Sequence, residues 1–254
     1  MELSSGPGAQ GSEVRVGPVA GRPVGSVRSV EELMELLRAC RGAWDTPDRS
    51  GDPVDLHDHA LQTAHLLRRS HPADKELQVA GLVHDLGHLL RPGDDAGHAD
   101  TAARAVRPLL GARVAGLVRL HVAAKRYLAS VEPDRTLSSR SALTLRAQGG
   151  VMGPKEAAAF ARDPLAEDAV TLRQADDAGK VVGLDAGVMD DWREILDILA
   201  RRAGRSRTAP ADAEGAPRGH ATPLGRGLFP TDPAPGLPVG GRVVPATSWQ
   251  ARSP

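Results

Sequence analysis

The run Ala80–Leu90, AGLVHDLGHLL, is aliphatic apart from His84, Asp85, His88 and two glycines. A segment apolar on every side predicts a helix over about 76–90 buried in a core, and this constrains the fold more than any other stretch. Burying Asp85 there is costly unless its charge is paired or metal-bound. On one continuous helix His84 and His88 would share a face, with Asp85 one step round. Two imidazoles and a carboxylate converging inside an apolar helix form a metal-site pattern. An adjacent His-Asp pair suits two ions, the histidine binding one and the carboxylate bridging both.

The remaining elements assemble round that helix. Ser29-x-x-Glu32 is a capping box opening a helix whose apolar face holds Val30, Leu33, Met34 and Leu37, ending near Gly42. Residues 43–55, with two prolines and four aspartates, read as a loop. A second helix runs from about Asp55 to Ser70 with Leu56, Ala60, Leu61, Ala64 and Leu67 inward. After a polar loop over 91–97, an apolar helix reaches Leu110 and another spans 112–129 with His121 and Lys125. Residues 131–153 read as irregular structure plus a short helix, and Pro154 opens the next one. Further helices cover 166–182 and about 190–203, the last with Trp192, Ile195, Leu196 and Leu199 on one face.

With almost no alternating β pattern, the expectation is an all-α, single-domain bundle over residues 27–203. Residues 1–26 read as a Gly/Pro/Ser-rich flexible leader. Residues 204–254, with nine prolines and eight glycines, read as a disordered tail that cannot bury enough surface to offset its ordering entropy. The 32 basic and 32 acidic residues cancel, so nothing overall draws the chain to nucleic acid or an anionic membrane. Aromatic residues make up only 2%, too few for base-stacking platforms. The single Cys40 excludes a disulfide framework and, with no membrane span or secretory signal pattern, predicts a cytoplasmic protein.

Four more residues complete the candidate metal set. His59 starts an apolar helical stripe, His98 follows the loop after the buried helix, His121 lies in the apolar LVRLHVAA, and Asp176 comes three residues after Arg173. With His84 and Asp85 they offer four imidazoles and two carboxylates, a mixed nitrogen–oxygen shell for two first-row ions. No thiolate supports structural zinc. His57, His65, His71 and His220 lack such context and read as ordinary surface or core residues.

The order His, His-Asp, His, His, Asp on consecutive helices resembles the HD-domain superfamily across roughly residues 29–203. Three strings narrow the resemblance to the phosphonate-cleaving HD-domain oxygenases. They are His121-Val-Ala-Ala-Lys125, the segment from Leu137-Ser through Ser141 and Thr144 to Gln148-Gly-Gly150, and Arg173-x-x-Asp176-Asp177-x-x-Lys180. Myo-inositol oxygenase is a more distant relative with the same kind of centre. The resemblance implies a mixed-valent Fe(II)/Fe(III) pair held by His59, His84, Asp85, His98, His121 and Asp176, with Asp85 bridging. It implies O2 as co-substrate and cleavage of the C–P bond of a 1-hydroxyphosphonate to a carboxylate and inorganic phosphate. His84, Asp85 and His88 are then the catalytic centre.

Spacing also points to an anionic ligand. Lys125 is four residues past His121, and Arg173 and Lys180 stand at −3 and +4 from Asp176 on one predicted helix face. These three cations suit a phosphonate. His88, Ser141 and Gln148 are further expected contacts, and Asp52 could meet a cationic group. The chain departs from the resemblance upstream of His59. Relatives acting on aminoethylphosphonates carry a Tyr and a Glu there as a lid, whereas Arg49 and Asp52 hold those positions here. Two other readings remain at this stage. One is a phosphohydrolase using the same ligands with a metal-bound hydroxide. The other is a helical binding module with a degenerate site, which the complete set of six ligands disfavours.

Overall fold

The computed structural model describes residues 25–208 except Pro47, Arg135, Thr136 and Ser138. Most of the expected leader and tail therefore lies outside the described residues. The chain divides into a unit of residues 1–203 and a second of 204–254, of which only the close of the last helix is described. The described residues form helices and no strand.

Helix α1 (Val30–Ala39) begins where Ser29 Oγ accepts from the Glu32 amide at 3.1 Å. The Glu32 carboxylate accepts from the Arg28 amide, one residue earlier than a reciprocal capping box requires. Leu33, Met34 and Leu37 are fully buried, as their spacing predicts. Helix α2 (Leu56–Ser70) is capped by Asp55 and buries Leu56, Ala60, Leu61, Ala64 and Leu67.

The expected helix over 76–90 is two helices. α3 (Lys75–Val83) stops at a turn formed by His84 and Asp85, and α4 (Leu86–Leu90) resumes beyond it. Asp85, with φ −101° and ψ 8°, lies in the sparsely populated bridge region. The aliphatic residues continue through the turn, so periodicity could not reveal it. The break matters for chemistry, since His84 and His88 do not share a face.

α5 (His98–Val131) is kinked at Gly111, whose φ of +91° and ψ of 179° separate the two helices that the sequence predicts on either side. α6 (Ser139–Ala147) and α7 (Pro154–Phe160) follow. α8 (Ala166–Ala178) is shorter than the expected 166–182. Beyond its end α2 holds the chain, His59 Nδ1 bonding the Gly179 carbonyl and Gln62 both the amide and the carbonyl of Val181. A 3₁₀ turn (Met189–Trp192) leads into α9 (Arg193–Thr208), which runs past the expected end at 203.

Helices α2, α3 and α8 pack on one another, and α5 packs on α3, α4, α7 and α8. Leu77, Leu82, Leu117 and Leu172 fill the shared interior. Trp192 and Leu196 are fully buried, and the Arg68 guanidinium lies 3.9 Å over the Trp192 ring. Among the described residues no helix is long and apolar enough to cross a membrane.

Candidate metal centre

Where α2, the α3–α4 turn and the two halves of α5 meet, four histidines are buried and each is held in the same way. Nδ1 of His59 lies 2.8 Å from the Gly179 carbonyl, and Nδ1 of His84 lies 2.9 Å from that of Gly81. His98 and His121 direct Nδ1 to the carbonyls of Asp95 at 2.8 Å and Val118 at 2.7 Å. A carbonyl only accepts, so every Nδ1 carries the proton and every neutral ring presents a lone pair at Nε2. Such outward anchoring is how proteins orient ligating imidazoles.

Those four lone pairs converge on two carboxylates. Asp85 Oδ2 lies 3.5 Å from His59 Nε2 and 3.4 Å from His84 Nε2. Its other oxygen, Oδ1, lies 3.5 Å from His98 Nε2 and 3.7 Å from His121 Nε2. Asp176 Oδ1 stands 3.3 Å from His59 Nε2. Two groups with metal-site spacing result, His59–His84–Asp176 and Asp85–His98–His121.

The donor chemistry fits cations. Nε2 of His59 and of His84 is buried with no hydrogen-bond partner, and the Nε2 atoms of His98 and His121 face each other at 3.0 Å. Acceptors aimed at acceptors in a water-poor interior are unfavourable unless a positive charge lies among them. Burial pushes the pKa values of His84 and His121 down, keeping these rings in the neutral, ligating form. For His59 and His98 burial acts in the same direction, but the adjacent Asp176 and Asp85 carboxylates outweigh it and raise them. Burial opposes ionisation of Asp85, yet the surrounding histidines hold its carboxyl well below the usual range. Asp176 is likewise held low against burial, by Arg173 and Lys180. Both carboxylates are therefore held in the charged form.

Cations ring this centre. Lys125 Nζ donates to Thr144 Oγ1 and, at 3.1 Å, to Gln148 Oε1. Burial, followed by repulsion from Arg173, lowers its pKa to about 8. Arg173 donates to Asp176 Oδ2 at 2.6 Å, pairs with Asp177 and reaches Ser141 Oγ at 3.4 Å. Lys180 lies beyond the end of α8 instead of on its face, yet its Nζ is 2.8 Å from Asp52 and 3.7 Å from Asp176. His88 stacks on His98 with ring centroids 4.2 Å apart and leaves Nδ1 buried and unbonded. All the side chains expected to contact substrate line one pocket that opens onto Asp85, His98, His121 and Asp176.

Sequence reasoning missed three lining residues as site candidates, Asp45, Arg140 and Thr144. Arg140 Nε donates to Asp45 Oδ2 at 2.9 Å and its Nη2 to Asp95 Oδ1 at 2.8 Å, joining the 43–55 and 91–97 loops. No sequence spacing signals a pair 95 residues apart; the Thr144 signal lay in its string. His57, although buried, is engaged by Asp58 and Arg41, while His65 is partly buried and His71 exposed. His220 lies outside the described residues. Arg49 sits exposed at φ +57°, with its guanidinium 5.4 Å over the Trp44 ring.

Comparison with known proteins finds oxygenases. The myo-inositol oxygenase family matches residues 27–101. Hydroxymethylphosphonate dioxygenase from Gimesia maris is 41% identical over 157 residues, 58% of this chain and 78% of that protein. The glycine-betaine-forming [1-hydroxy-2-(trimethylamino)ethyl]phosphonate dioxygenase from Leisingera caerulea is 32% identical over 140 residues, 51% of this chain and 71% of that protein.

Proposed function

The chain belongs to the HD-domain oxygenase family of these phosphonate dioxygenases, and from that premise we propose that it cleaves the C–P bond of a 1-hydroxy-organophosphonate with O2. The products are a carboxylate and inorganic phosphate, one of each per O2 consumed. The observation that carries this reading is the pair of inward-facing ligand groups with one Asp85 oxygen toward each, beside the buried Lys125 ammonium.

His59, His84 and Asp176 would hold one iron, and His98 and His121 the other, with Asp85 shared between them. Bound there as an Fe(II)/Fe(III) pair, the irons supply the redox chemistry and O2 activation that side chains lack. The protein's own contribution is positioning and charge. Lys125 supplies a positive charge whose neighbours Thr144 and Gln148 are neutral, so it is available to a phosphonate oxygen. Arg173 and Ser141 line the same wall and extend that anion-binding surface. Held neutral by burial, His88 keeps an unbonded Nδ1 with which to hold a proton at the substrate's hydroxyl. Burial of His59, His84, His98 and His121 keeps bulk water from the ligand side of the centre.

The test is iron-loaded protein with hydroxymethylphosphonate in an oxygen electrode, with phosphate and formate assayed. Equal consumption of O2 and release of phosphate and formate is expected, with a low-temperature EPR signal from a coupled iron pair that shifts on adding the phosphonate. Phosphate release from a phosphomonoester without O2, and no uptake with any hydroxyphosphonate, would replace this reading with a phosphohydrolase.

A further inference from the structure

The two named relatives differ in one chemical respect, since one substrate name carries a trimethylamino group and the other does not. We infer that this pocket takes a hydroxyphosphonate with no cationic substituent, an inference that rests on the proposed function and narrows it.

A quaternary ammonium is recognised by carboxylates with charge to spare or by aromatic faces. This pocket has neither among the described residues. Asp85 and Asp176 belong to the candidate metal centre. Of the other two lining carboxylates, Asp52 is paired with Lys180 at 2.8 Å and Asp45 with Arg140 at 2.9 Å, a guanidinium that Asp45 shares with Asp95. The four side chains of these two pairs are only 10–17% exposed, so solvent screens them weakly. Asp52 Oδ1 is buried without a partner, while Oδ2 is already paired with Lys180. It remains an acceptor for a neutral donor such as a hydroxyl, and a trimethylammonium has no N–H to offer it.

Among the described residues no Trp, Tyr or Phe lines the pocket. The Trp44 face is covered by Arg49, and Tyr127 packs on Phe160 at 4.9 Å. A cationic arm would have to displace Lys180 or Arg140 from its partner, or lie against like charge. The phosphonate end meets the opposite situation, because Lys125 has neutral partners and its charge is unbalanced locally.

Calorimetric titration of iron-loaded wild-type protein without O2 separates binding from turnover. Hydroxymethylphosphonate is expected to bind about tenfold or more tightly than 1-hydroxy-2-(trimethylammonio)ethylphosphonate, a gap of about 1.4 kcal/mol. Arg140→Met, which uncovers Asp45, should narrow that gap by strengthening the cationic ligand. The wild-type ratio decides by itself should this variant fail to fold. Equal or tighter wild-type binding of the trimethylammonio compound overturns the inference and leaves the proposed function standing. Binding of neither compound by protein that holds two irons overturns both.

Discussion

Replacing Gly87 with alanine would drive a methyl group into the backbone of His98. The added carbon would stand 2.5 Å from the His98 carbonyl carbon and 2.7 Å from its Cα. Carbon atoms rest about 3.5–4.0 Å apart, so α4 and the start of α5 must separate by roughly 1 Å. Backbone cannot rotate out of the way as a side chain can. Either α4 moves and takes Asp85 with it, or α5 moves and takes His98, and both routes open the 3.5 Å approach between them. Overpacking of this kind costs about 1–3 kcal/mol. For a domain of this size that corresponds to a fall in Tm of roughly 3–10 °C. Metal sites tolerate displacements of only about 0.2 Å, so the Asp85–His98–His121 group should lose its ion while His59–His84–Asp176 keeps one. Metal analysis after gel filtration should fall from about two ions per chain to about one. Gly153→Ala is the control, since nothing lies within 4 Å of its Cβ and its φ is −72°; it should change neither reading. Gly87→Ala protein that retains both ions and melts with the wild type would refute the reasoning.

Other perturbations give separate readouts. Lys125→Met should raise KM for the phosphonate by roughly 10–100-fold, the worth of one charge-assisted hydrogen bond. The Lys125 pKa of about 8 lies below the ordinary lysine value, so its charge is present below that pH and lost above it. Wild-type kcat/KM should therefore decline as pH rises through about 8, and Lys125→Met should lack that limb; an unchanged limb assigns it to another group. Arg113 bonds Asp74, Glu76 and Asp168, tying α3 to α5 and α8 at a distance from the pocket. Arg113→Ala should lower stability to urea by about 1–3 kcal/mol with metal content unchanged. Chelation should lower Tm progressively with ligand-site emptying, because ions that bind only the folded chain stabilise it by mass action; a chelator-insensitive Tm would argue against a bound metal.

The helices were legible because their apolar stripes repeat at helical spacing, and α1, α2, α7 and the two halves of α5 lie where Ser29, Asp55, Pro154 and Gly111 punctuate the chain. The boundaries that sequence missed are those set by a neighbouring element. α8 ends at Ala178 and Gln62 of α2 takes both backbone groups of Val181, although Val181 and Val182 continue an apolar run. The turn at His84–Asp85 was invisible because both flanking segments are equally aliphatic.

The candidate site divides along the same line. Sequence determined which residues can carry metal chemistry, since only burial with a purpose explains Asp85 and four histidines in apolar company. It also determined the nearness of Lys125 to His121, because one helical turn separates them. Tertiary structure alone decided how the ligands partition, with one Asp85 oxygen toward each histidine pair, and which ring nitrogen faces inward. It alone decided that Asp45 and Asp52 are paired with cations, since Arg140 and Lys180 stand 95 and 128 residues away along the chain. Periodicity records what a segment does with its own neighbours, whereas pairing across such distances depends on loop closure, which no local pattern encodes.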